Sequence, residues 1–407
     1  MVLSSAGVRP QHLRTRHNII FRSGTTPGGK RMTSPGRKDQ ATAPPPPALP
    51  PDPAHWSLGD EAQREALLPL LLQELASSVP SRRARAAELL AEAGADEAVP
   101  ALYELLRRER DLSVRCQALR ALHHLAGTAE AIEGPSAEEL AAWKDELLAG
   151  LVEQLQSIAP AQRWSAAEGL GRLGDPRAVP ALVGALRDPH AFVRWTAIQA
   201  LGEIGAPETV ALLLPLLEEP DPLIRRSAVD ALGRFDTPES REALRRALRD
   251  PDPTVRRNAI DAVARLQDTA AVDALVLALD PRNGLWLRYS AAEALGVVGN
   301  HRAVAPLIEA AQDPQVLIRR VAVRSLGLLH DSRAIPTLVR ALRDPDPQVR
   351  LHAAEGLGRI GHEGVVPQLK QRTNDRSTVF GRRVGDAARE AILSIRARTA
   401  SQSEPGT

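Results

Sequence analysis

One arginine returns every 31 or 32 residues along most of the chain, and its surroundings return with it. Around Arg194 the order is Val-Arg-Trp-Thr-Ala-Ile-Gln-Ala-Leu-Gly-Glu-Ile-Gly. The same register holds at Arg83, Arg115, Arg163, Arg225, Arg256, Arg288, Arg319 and Arg350. Three residues after each stands an alanine, among them Ala166, Ala197 and Ala228; seven after stands a leucine, or Val263 in one case. Self-similarity at this period means a stack of like supersecondary units and excludes a globule around one closed core.

The repeat itself reads as a helical hairpin. In the unit at 175–205, Asp175-Pro176 places an N-cap and a first-turn proline at the start of one helix. Arg187-Asp188-Pro189 breaks it, a second helix runs from about Phe192 to Ile204, and Gly205 closes it. Asp221-Pro222, Asp252-Pro253 and Asp346-Pro347 repeat the cap-then-proline device. In the second helix the apolar positions lie at −1, +3, +6, +7 and +10 from the arginine, on one face about 100° wide, while +1, +5 and +8 point away. A lone unit would have to offset about 45 kcal/mol of chain entropy at ~1.5 kcal/mol per residue, so each must lean on its neighbours.

Composition agrees. Aromatics are only 3 % of residues, which suits helices packed through alanine and leucine. The single cysteine, Cys116, excludes an internal disulfide framework and points to a reducing compartment such as the cytoplasm. No apolar run reaches the length of a membrane helix. The net charge of +2 conceals two parts. Residues 1–58 hold eight basic and two acidic side chains, a charge of +6; subtracting from 52 and 50 leaves 44 and 48, or −4 for the repeats. A stack with that balance is no generic phosphate binder, so nucleic acid is expected only at the leader. Residues 1–57, rich in Pro, Gly, Ser, Thr and Arg, are expected to be disordered: a flexible tail, an overlong start before Met32, or a transit segment.

From these features the chain divides into the leader, a solenoid over 58–398 and a disordered tail over 399–407. Two units depart from the period. Arg115 to Arg163 is 48 residues, 17 more than 31, an insertion over about 127–144. Within it Ser136-Ala137-Glu138-Glu139 reads as a capping box, so the helix should begin there, with Trp143 standing off the edge of the stack. In the last unit Gly385 takes the arginine position, as befits an atypical end repeat.

Asp-Pro-Arg-Ala-Val-Pro-Ala-Leu (175–182), Asp-Ser-Arg-Ala-Ile-Pro-Thr-Leu (331–338) and the Val-Arg-x-x-Ala-x-x-x-Leu-Gly helix resemble the HEAT-repeat superfamily, specifically its short-repeat branch named after phycobilisome lyases. The resemblance spans about 340 of the 407 residues. It implies an all-α, right-handed α-solenoid of about ten hairpins used as a binding scaffold. It also implies a ladder in which an Asp six residues before each Arg joins successive units. Asp188, Asp250, Asp313 and Asp344 stand six before Arg194, Arg256, Arg319 and Arg350; Glu109 and Glu219 stand six before Arg115 and Arg225. Arg288 belongs to the same ladder, and Ser77 and Ser157 break the acidic column.

Deoxyhypusine hydroxylase, a di-iron enzyme on similar repeats, carries His-Glu pairs before the double alanine. Here those places hold Trp164-Ser165, Trp195-Thr196, Tyr289-Ser290 and Leu351-His352, and the one His-Glu, His362-Glu363, lies in a loop. No metal, cofactor or catalytic residue is therefore expected. Cys116, one residue after an arginine and expected on the exposed side, has no histidine in register to activate it. The glycine column of Gly171, Gly202, Gly233, Gly296, Gly327 and Gly358 is expected to admit a neighbouring helix or a ligand.

The variable column carries the functional expectation. One residue after the arginine the chain reads Ala84, Cys116, Trp164, Trp195, Arg226, Arg257, Tyr289, Arg320, Leu351. Trp, Tyr and Arg dominate binding hot spots. At +5 stand Glu88, Glu168, Asp230, Asp261, Glu293 and Glu355. The expected function is a non-enzymatic scaffold that takes a protein partner on the ridge Trp164, Trp195, Arg226, Arg257, Tyr289 and Arg320, on the concave side. The alternative is a lyase-like subunit that handles a bilin, with Arg226, Arg257 and Arg320 holding its propionates.

Overall fold

A computed structural model describes residues 61–125 and 136–403, all within one compact unit. Residues 1–60, which include the leader, residues 126–135, which hold the first half of the insertion, and residues 404–407 lie outside the described residues.

Among the described residues twenty α-helices alternate in two layers. The first hairpins are α1 (Glu61–Glu74) with α2 (Pro80–Ala93), and α3 (Val99–Arg108) with α4 (Leu112–Leu125). Next come α5 (Ala137–Gln154) with α6 (Pro160–Leu173), and α7 (Val179–Ala185) with α8 (Ala191–Ile204). The middle holds α9 (Thr209–Leu213) with α10 (Pro222–Leu232), and α11 (Pro238–Ala247) with α12 (Pro253–Arg265). Then follow α13 (Val272–Ala278) with α14 (Leu285–Val298), and α15 (Val304–Ala310) with α16 (Val316–Leu328). Last are α17 (Ile335–Ala341) with α18 (Pro347–Ile360), and α19 (Val366–Lys370) with α20 (Val384–Ser403).

Local chemistry sets these boundaries. Asp221 Oδ1 accepts the Leu223 amide, Asp252 the Thr254 and Val255 amides, and Asp346 the Val349 amide. Gly174, Gly205 and Gly299 close their helices at φ of 66°, 69° and 73°, a left-handed conformation that side chains resist. Asp175 caps a single 3-10 turn, Pro176–Ala178, and the α-helix proper starts only at Val179.

Burial follows the period. Ala166, Ala197, Ala228, Ala259, Leu201, Leu232 and Leu326 are fully buried. The even-numbered helices pack directly on one another, and the glycine column shows how closely. A Cβ on Gly171 would lie 2.8 Å from Ala200 Cα, and one on Gly233 would lie 2.8 Å from Ala262 Cβ. The neighbour at this column is a helix. Where it holds glycine, the +8 position is therefore buried and does not point away, because these inner helices are flanked on both sides as well as by the hairpin mate. Adjacent odd-numbered helices do not pair in this way, so the even-numbered layer is the tighter, inner one.

Two further expectations are corrected. Trp143 does not stand off the stack: it is half-buried against the Tyr103 ring of α3, centroids 5.6 Å apart, while Ser136 and Glu139 form the capping box. The last helix continues to Ser403, through the first part of the expected tail. A two-stranded hairpin, β1 (Thr378–Val379) and β2 (Arg382–Arg383), joins α19 to α20. Gly385 follows it because a Cβ there would lie 2.5 Å from the Thr373 carbonyl.

Among the described residues no helix is long and apolar enough to cross a membrane.

Candidate functional site

The recurring arginine is a joint between units. Arg163 binds Asp188 through two nitrogens at 2.6 and 2.9 Å, Arg225 binds Asp250 at 2.8 and 2.9 Å, and Arg319 binds Asp344 at 2.8 and 3.1 Å. Arg288 pairs with Asp313, and Arg350 with Asp375 at 2.8 Å. Each carboxylate thus serves the arginine of the preceding unit. The same guanidinium turns back on its own hairpin: Arg225 Nη1 donates to the Glu219 and Pro220 carbonyls, and Arg256 Nη1 to those of Asp250 and Pro251. Arg194 caps the Asp188 and Pro189 carbonyls. Among the described residues neither Arg194 nor Arg256 meets a carboxylate. For Arg256 the slot six before Arg288 holds Arg282 instead of an acid, and Asp280 is bonded to Arg282.

The Arg163 hydrogen bonds hold the Asp188 carboxyl below its usual range. For Glu109 and Asp375 burial pushes upward, but hydrogen bonds from Arg83 and Arg350 and from nearby amides outweigh it. A group tied by two charged bonds and two carbonyls, each in a turn between helices, is positioned to join units and not to react.

The +1 column divides into four kinds of position. Trp164 is 42 % exposed on α6, and Trp195 is half-buried on α8. Tyr289 is half-buried, and its ring meets Trp286 edge-on at 6.1 Å. Arg226 and Arg257 have no hydrogen-bond or ion-pair partner among the described residues, Arg226 half-buried and Arg257 exposed. Arg320 is held by both oxygens of Asp346, at 2.8 and 2.5 Å, so its donors are committed within the stack.

Cys116 and Leu351 fall in the same column yet are buried, 0 % and 5 % exposed. The Cys116 thiol does not face solvent as expected. It donates to the Gly169 carbonyl at 3.4 Å, and burial pushes it up to about 11, far from thiolate formation at neutral pH.

A second row was missed. Two residues before the arginine stand Phe192, Leu223 and Trp286, exposed by 65 %, 53 % and 55 %. At 100° per residue position −2 falls at 160°, only 20° beyond +5 at 140° and 60° from +1 at 100°, so the wheel already placed it on the outward side. Phe192 with Trp195, and Trp286 with Tyr289, are i, i+3 pairs on one face.

Beside this ridge runs the carboxylate row. Asp230 lies 3.7 Å from Arg265, and Glu293 lies 3.2 Å from Arg324 of the next unit. Asp261 is reached by solvent, but the surrounding protein pushes its carboxyl up, and neighbouring Glu293 and Asp230 add to this against Arg257 and Arg265. Among the described residues no three His, Cys, Asp or Glu side chains converge as metal ligands, and His362 Nδ1 accepts the Gly364 amide within its loop.

The arrangement offers aromatic faces, two unpaired guanidiniums and a flanking row of acceptors. It can hold apolar and acidic groups together.

Comparison with known proteins follows the same line. A family model of HEAT repeats matches residues 68–134 and, in overlapping segments, 148–391. No curated protein matches the chain. Among solved structures, an engineered protein is 22 % identical over 81 % of this chain and 98 % of its own, with a TM-score of 0.43. The Escherichia coli protein YibA is 20 % identical over 65 % and 99 %, with a TM-score of 0.48. Human deoxyhypusine hydroxylase is 25 % identical over 63 % and 98 %, with a TM-score of 0.30. With repeat matches over well more than half of its length, the chain belongs to the HEAT-repeat family.

Proposed function

We propose that the chain is a non-enzymatic scaffold whose inner helices bind a protein partner along Trp164, Trp195, Arg226, Arg257 and Tyr289, with Phe192 and Trp286 beside them. HEAT-repeat stacks commonly serve protein–protein interaction. One observation carries the reading here: exposed aromatic pairs bracket two arginines that the stack leaves unpaired, while the ladder arginines are all bonded within the stack. Unpaired guanidiniums beside aromatic faces are poorly explained by folding and well explained by recognition.

Arg320, the sixth residue of the expected ridge, contributes through Asp346 to the joint between units. That also weakens the bilin alternative, which counts on three free arginines for the propionates. Mixing the protein with a bilin tests it directly, since a bound tetrapyrrole shifts its absorbance; an unshifted spectrum removes that alternative.

The partner reading is tested by replacing Trp195 and Arg257 with Ala. Partner capture in a pulldown should be lost while helical circular dichroism stays as in the parent. Capture that survives in the folded variant overturns the assignment.

A further inference from the structure

The rungs of the ridge are evenly stepped, and the step selects a ligand shape. On four successive inner helices the outward groups run aromatic, arginine, arginine, aromatic: Phe192 and Trp195 on α8, Arg226 on α10, Arg257 on α12, Trp286 and Tyr289 on α14. At the first two of these steps the helices meet at a glycine with no room for a side chain. A Cβ on Gly202 would lie 3.0 Å from Ala231 Cα, and Gly233 stands as close to Ala262. Such contacts put the axes near the lower end of the usual 8–10 Å spacing, so three steps carry the ridge about 25–27 Å.

A polyproline-II chain advances ~3.1 Å per residue with three residues per turn, whereas a β-strand turns residues three apart to opposite faces. Three residues of a polyproline-II chain therefore cover about one step, and every third side chain meets the next inner helix. A helical ligand fits badly. At 1.5 Å per residue it needs six residues per step, which turns successive contacts by about 240°. Seven residues restore the face but overshoot by roughly 2 Å at each step.

The carboxylate row favours the same shape. Asp230, Asp261 and Glu293 stand one turn beyond the ridge, and Asp261 has no hydrogen-bond donor among the described residues. These oxygens repel acidic side chains but accept N–H groups. An extended chain presents free backbone N–H groups, whereas a helix has already bonded its own.

Resting on the partner-binding reading, we infer that the ridge takes an extended segment of its partner in a ten-residue register. An apolar residue meets Trp195, an acidic residue three later meets Arg226, another three later meets Arg257, and an apolar residue three further meets Tyr289. The ligand is thus an acidic peptide with apolar ends, read every third residue.

Selection of random displayed dodecapeptides on the immobilised full chain tests this. The enriched peptides should carry two acids three residues apart, bracketed by apolar residues three residues beyond. One of them, synthesised, should bind at least tenfold more weakly to Arg226→Ala/Arg257→Ala. Its counterpart with both acids changed to amides should lose as much on the unaltered protein, a control independent of how the variant folds. Binding should also weaken as salt is raised. Enrichment of acids seven residues apart, enrichment indifferent to both the arginines and the peptide's acids, or no enrichment would overturn the register. If partner capture still depends on Trp195 in those cases, the binding surface stands and only the extended register falls.

Discussion

Gly233 closes α10 with helical backbone, φ −64°, a conformation in which alanine is the better residue by up to about 1 kcal/mol, so on local grounds Gly233→Ala should be neutral or stabilising. The neighbouring helix reverses the sign. The added carbon would lie 2.8 Å from Ala262 Cβ and 2.9 Å from a guanidinium nitrogen of Arg265, well inside contact distance. Crowding of this kind costs about 1–3 kcal/mol, so the variant should unfold at lower urea with an unchanged slope. Gly184→Ala in α7 is the matched control, since nothing lies within 4 Å of its added carbon, and it should be neutral or stabilising. If Gly233→Ala gains stability as the control does, the glycine column is not a packing device. The column was visible in the sequence, but its occupant was not: a period shows that a position is special and leaves open whether a helix or a ligand fills it. Cys116 and Leu351 show the same limit. A helical wheel gives their angle, whereas the helix that covers them is set by packing.

A hairpin unit is fastened by both ends of one arginine, to its own turn and to the next unit's acid. The carboxyls of Glu109, Asp188 and Asp375 are all held below their usual range in the folded chain. A depressed folded pKa contributes stability in full above the unfolded value, about 4, and loses it as pH falls toward the folded value. Stability should be flat from neutral pH to about 5 and decline below 4. Asp188→Asn isolates one rung: its urea midpoint should fall short of the parent's at pH 7, and the gap should narrow toward pH 3. A gap independent of pH would mean that the charge of Asp188 does not matter. At this scale the sequence was largely legible, because caps, turns and acidic slots are written as Asp-Pro steps at fixed distance from the arginine. Tyr103 and Trp143 were not legible as a pair, since 40 residues separate them and only the docking of α5 on α3 brings them together. The −2 row escaped notice for another reason: attention to the apolar stripe passed over apolar residues on the outward arc.

In a stack held by nearest-neighbour interfaces, the weakest interface decides where the molecule comes apart. The step from Arg115 to Arg163 is the place. Ser157 stands where other units carry an acid, and Arg115 turns to Glu146, a side chain 64 % exposed, at 2.9 and 3.0 Å. Its Nε is buried with no hydrogen-bond partner among the described residues. An unsatisfied buried donor costs about 1–3 kcal/mol, so this joint lacks what its neighbours have. Residues 61–125 should exchange their amide hydrogens and unfold in urea before residues 136–403. Ser157→Asp restores the rung. Ser157 Oγ already accepts the Ala159 amide at 3.2 Å, as Asp188 accepts that of His190 at 2.8 Å, so a carboxylate there should adopt the Asp188 posture. A carboxylate there that meets Arg115 should raise the early transition by about 1–2 kcal/mol. Arg115→Ala should cancel that gain in a double-mutant cycle. A gain that persists without Arg115 would assign it to the turn alone. One shared transition in the parent chain would show that the stack does not part at this seam.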